Sequence, residues 1–86
     1  MIIDMRLNMF KSLLFFNLNW DEKNLCCQID GSNVYPPNVG EKIILSVQGV
    51  SYTFVVCERL FDYTQSAVFV RVKMAPESFG KFVSNN

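Results

Sequence analysis

Glu58 and the three cysteines, Cys26, Cys27 and Cys57, are the side chains of this sequence whose types could carry chemistry. Glu58 stands inside the apolar run "VSYTFVVCERLF", where strict alternation puts it on the side of Val56 and Leu60, opposite Val70. A carboxyl held in such surroundings has a raised pKa and can serve as general acid or base. A β-bulge that turns it outward, or a place at the mouth of a barrel, explains it more simply. Three thiolates plus a carboxylate would make a metal set. Yet Cys26 and Cys27 are adjacent, and neighbours on a strand point to opposite faces, so buried or half-buried thiols are expected instead. With no histidine in the chain, Ser-His-Asp and Cys-His machinery is excluded. Asp21, Glu22, Asp30, Asp62 and Glu77 fall mostly in turn segments, and the four glycines form no phosphate-binding loop. The expectation is a protein that is not an enzyme, with no cofactor and no metal.

Composition narrows the partners. Eight basic and eight acidic residues cancel, so no strong positive field gathers nucleic acid. The 86 residues allow a single domain, 1–86, with residues 1–11 as an N-terminal arm or strand extension and 75–86 as a C-terminal tail. Half the residues are hydrophobic and eight are phenylalanine, rich for so small a body, which hints at apolar surface left for a partner. An odd cysteine count is a poor disulfide framework and favours a reducing compartment. The opening "MIIDMRLNMFKSLLFFNLNW" has neither the run length of a membrane span nor the cleavage pattern of a signal peptide. A cytoplasmic location is expected, with no membrane partner.

The elements that must position these residues are strands. Turn signals at 21–24, 30–40, 48–49 and 62–66 separate short runs rich in Val, Ile, Phe and Tyr. A two-residue Gln-Gly loop pairs Val47 with Val50, Leu45 with Tyr52 and Ile43 with Phe54, each pair on one face. A five-residue loop at 62–66 pairs Leu60 with Val68, Val56 with Val72 and Phe54 with Met74. Across "DEKN", Trp20 faces Leu25, Leu18 faces Cys27 and Phe16 faces Ile29. The first dozen residues fit either a helical spacing or an extended strand with a bulge, and the extended form is favoured. Pro76 ends the last strand, and Phe79, Phe82 and Val83 follow at helical spacing. The predicted fold is mainly β, a small five-stranded antiparallel meander curled into a partly open barrel of SH3-like or OB-like form, with a short C-terminal helical turn.

The segments "PPNVGEKIIL", "VSYTFVVCERLFDY" and "AVFVRVK", spanning residues 34 to 74, carry a likeness. They resemble small SH3-like barrels with a proline–apolar–Gly–acidic strand entry, an arrangement also similar to uncharacterised proteins of bacteriophages and mobile elements. The resemblance implies a barrel rather than an activity. Nucleic-acid modules with this entry carry basic loop residues, and "DGSNVYPPNVG" has none.

The alternation predicts an outward face holding Arg59, Phe61, Phe69, Arg71 and Lys73. Aromatic and basic side chains together suit a protein contact, and secondarily the stacking of single-stranded bases. Leu13 and Phe15 are also predicted to face away from the core, covered by a terminus or buried in a homodimer. The expected function is a non-enzymatic intracellular protein-interaction module, in the manner of a phage or mobile-element accessory protein acting on a host protein. The alternative is a single-stranded nucleic-acid-binding barrel.

Overall fold

The computed structural model describes residues 10–18, 25–31 and 34–78. Five strands form one sheet: β1 (Ser12–Asn17), β2 (Leu25–Asp30), β3 (Lys42–Val47), β4 (Val50–Asp62) and β5 (Ala67–Met74). Their order across the sheet is β2-β1-β5-β4-β3. β1 and β5 run parallel, while the other neighbours are antiparallel. The sheet is therefore mixed where a wholly antiparallel meander was predicted. The cause is geometric. In five strands of alternating direction the first and fifth point the same way, so a meander that curls until they meet must pair them in parallel. The opening then falls between β2 and β3, which touch without forming a ladder. The product is a half-barrel.

The β3–β4 hairpin has the predicted register, with Val47 opposite Val50, Leu45 opposite Tyr52 and Ile43 opposite Phe54. Its turn carries Gln48 at φ 51° and Gly49 at φ 81°. Two positive φ values define the type I′ turn, whose twist matches the flanking strands. Gly40, at φ 94°, makes the entry to β3. There the Gly40 N–H donates to the Val56 carbonyl at 2.9 Å, and the Val56 N–H donates to the Glu41 carbonyl at 3.0 Å.

β4 and β5 pair as predicted at Phe54–Met74 and Val56–Val72. Beyond Val56 the register shifts by one, and Cys57 is the extra residue of a β-bulge. Glu58 then faces Arg71, Arg59 faces Val70, Leu60 faces Phe69 and Phe61 faces Val68. The predicted Leu60–Val68 pair is thereby replaced. Since side chains alternate with period two, one inserted residue exchanges the faces of everything after it.

β1 is also turned over relative to expectation. Its register with β2 runs Leu13–Ile29 and Phe15–Cys27, then slips at Cys26 so that Phe16 meets Leu25. Leu13 and Phe15 are 5% and 2% exposed, in the core rather than on the outside. Asn17 is buried beside them, and Leu14 and Phe16 take the outer face. β1 lies between two hydrogen-bonded neighbours, and its parallel ladder to β5 sets Phe15 level with buried Val70. Both of its faces are apolar, so alternation alone cannot choose between them.

The core gathers Phe10, Leu13, Phe15, Val34, Leu45, Tyr52, Phe54, Val56, Val68, Val70, Val72 and Met74. Helical backbone begins at Pro76. Ser78 is buried there, its Oγ accepting the Thr53 N–H at 2.6 Å, which ties the tail to β4. Residues 1–9 of the predicted 1–11 arm, Trp20, the "DEKN" loop, and Phe79, Phe82 and Val83 lie outside the described residues.

Candidate functional site

The outer face of the sheet is assembled from alternate residues of β1, β5 and β4. Phe16 and Phe69 lie on neighbouring strands with ring centroids 6.1 Å apart and planes tilted by 30°. Leu60, 63% exposed, stands across from Phe69 on β4. Phe16, Leu60, Phe69, Arg71 and Glu58 enclose a shallow depression of about 300 Å³. Leu18, 40% exposed, and Leu25, 43% exposed, extend the apolar surface beyond it.

The bulge at Cys57 decides the electrostatics here. It turns Glu58 out of the barrel, where its Oε1 accepts a hydrogen bond from Arg71 Nη1 at 3.3 Å. Both side chains are well exposed, so solvent screens the pair and its net contribution to stability is small. Its effect is local: a charged couple neutralises itself at the edge of an apolar depression. Lys73 follows, exposed, one row further along β5. Of the predicted surface residues, Phe69, Arg71 and Lys73 share this face.

Arg59 and Phe61 belong to the other side. Phe61 packs against the core, its ring 5.3 Å from that of buried Phe10, and Phe10 in turn lies 5.3 Å from Tyr63. The Arg59 guanidinium sits 5.3 Å from the centroid of Phe61 and donates to Asn38 Oδ1 at 3.4 Å. These two therefore cap one end of the interior. With Leu13 and Phe15 in the core, four of the seven predicted surface residues are corrected. Phe16, Leu60, Glu58 and Leu14 take their places. For Leu60 the signal was Glu58 itself: the bulge that removes its carboxylate from the core also moves Leu60 out and Phe61 in, whereas nothing in the alternation of β1 singles out Phe16 and Leu14.

The cysteines are free and half-buried. Cys26 and Cys27 both pack against the core, since the bulge at Cys26 relaxes strict alternation. Burial first, and the neighbouring Cys27 thiol second, push the Cys26 thiol up to about 11. Among the described residues no group of three or more His, Cys, Asp or Glu is placed to hold a metal ion. At one end of the outer face Asp30 accepts hydrogen bonds from Gln28 Nε2 at 3.0 Å and Ser12 Oγ at 2.7 Å. These bonds, Gln28's the larger, hold its carboxyl below the usual range. Asp62 is lowered similarly, chiefly by the Thr64 hydroxyl.

No family model, no curated protein and no solved structure matches the chain. What is established is the class of fold: a small, mainly β domain whose five-stranded mixed sheet curls into a half-barrel. The likeness to SH3-like barrels rests on the strand-entry motif alone.

Proposed function

We propose that this protein is an interaction module that docks on a protein surface, another protein's or that of its own copy, through the outside of β1, β5 and β4. One observation carries the reading: exposed Leu60 and half-buried Phe16 and Phe69 line one shallow depression with a self-neutralised Arg71–Glu58 pair at its edge. Aromatic and aliphatic side chains with arginine at the centre and polar groups at the margin are the composition of protein interfaces. The chain would act by occupying its partner's surface, the mode expected of an accessory protein from a mobile element. Single-stranded nucleic acid is the weaker fit, because Glu58 offsets Arg71 and the acidic Asp30 and Asp62 border the same face.

The test compares three baits in extract of the source cell: the native protein, Leu60→Asp, and Tyr35→Ser, whose exposed residue lies in the β2–β3 connection. A protein retained by the native and Tyr35→Ser baits and lost with Leu60→Asp supports the reading. Equal retention by all three moves the docking site elsewhere. Salt-sensitive binding of a single-stranded oligonucleotide that disappears in Arg71→Glu would replace the proposal with nucleic-acid recognition.

A further inference from the structure

The outer face has a polarity along the strands. At one end a cross-strand row runs Asp30, Ser12, Ala67, Asp62. Next come Gln28, Leu14, Phe69 and Leu60, then Leu25, Phe16, Arg71 and Glu58. At the far end Lys73 lies beside Val55, and Val55 beside Lys42. Lys42 already contacts Glu77 at 3.5 Å, and Arg71 is paired with Glu58, so the distinguishing charges are Lys73 at one end and the two aspartates at the other. From Ala67 to Lys73 is six residues, about 20 Å at roughly 3.3 Å per residue. The two middle rows hold Leu14, Phe69, Leu60, Leu25 and Phe16 beside Gln28 and the Arg71–Glu58 pair.

We infer that the occupant of this face is a second copy of the chain, packed face to face with its strands reversed. This rests on the docking reading above and names the partner for it. A two-fold axis lying between the sheets, perpendicular to the strands and level with Val70, maps the acidic end of each copy onto the basic end of the other. Lys73 of one protomer then lies over the Ala67 row of its partner, within reach of the partner's Asp62. The same operation sets Arg71 of each over Phe69 of the other, a cation–π arrangement, and lays Leu14 of each over Phe16 of the other, with Glu58 beside Leu60. A two-fold parallel to the strands would instead stack like charges, which disfavours that orientation. The net charge of zero removes general repulsion between copies.

Light scattering during size exclusion, at low ionic strength and from about 1 to 200 µM on the scale of ordinary specific dimers, tests the assignment. The expected mass is twice the 9.9 kDa of one chain. Leu60→Asp should weaken association at least about tenfold, as should Lys73→Glu; Lys73→Glu combined with Asp62→Lys should restore it, each variant checked for a native thermal melt. A native protein that stays monomeric at the highest concentration overturns the inference while leaving the bait comparison to decide the docking face. A dimer indifferent to Leu60→Asp places the contact elsewhere and overturns it too. A dimer that loses affinity with Leu60→Asp but ignores Lys73→Glu overturns the reversed orientation.

Discussion

Cys26 occupies a bulge with its thiol pressed toward the core, and that position controls its reactivity. A thiol raised to about 11 from an ordinary value of 9.0 holds about a hundredfold less thiolate at pH 8. Its alkylation by iodoacetamide in the native state should be slower than in urea by a factor of that order, read by peptide mass analysis; equal rates would refute the burial argument. The linkage sign follows from the raised value. Neutral thiol is favoured in the folded chain, so this contribution to stability is complete below pH 9 and fades as pH rises toward 11. The loss in urea midpoint across that window should be smaller in Cys26→Ala. At this scale the sequence was legible where a residue broke a pattern. Glu58 looked wrong inside a barrel, and the structure turns it out to Arg71. Asn17 gave no such warning, because its alternating partners Leu13 and Phe15 could be read as an outer face.

Strand registers divide the same way. The β3–β4 hairpin was readable because a tight Gln-Gly turn fixes the offset and the inward set has no competitor. In β4–β5 the first half was readable and the second was not, since one extra residue at Cys57 reverses the faces without altering composition. β1 was ambiguous in principle: "LLFF" offers hydrophobic side chains to both sides. The structure buries Phe15 and leaves Phe16 half-covered, and this yields a direct comparison. Phe15→Ala should cost about 3–5 kcal/mol, as for other large core truncations. Phe16→Ala should cost no more than about 1 kcal/mol, in line with surface substitutions. Urea unfolding of the two variants measures both, and the reverse ranking would mean that β1 presents its other face to the core.

At the scale of the molecule, alternate apolar residues and regular turns were enough to indicate five strands curling on themselves, because a sheet this small has no other way to cover its greasy side. The parallel junction was not read, although it follows from counting strands. Hydrogen exchange should reveal the hierarchy this junction creates. β5 has a ladder on each side, while β2 and β3 have one each. Amides of Val68, Val70 and Val72 should therefore be the slowest to exchange, approaching the global opening limit, with β2 and β3 faster. Protection spread evenly over all five strands would contradict the open half-barrel.

The parallel junction also sets a clock. It joins Ser12 to Ala67 and Asn17 to Val72, partners 55 positions apart by subtraction. During synthesis β1 emerges before β5 and cannot be sheathed until Met74 has left the ribosome, so an oily ribbon waits with one flank bare while the residues between them are added. Contacts of such long sequence separation close late and slowly. Whatever shields β1 in that interval, a chaperone or a nascent neighbour, has the first chance to bind it.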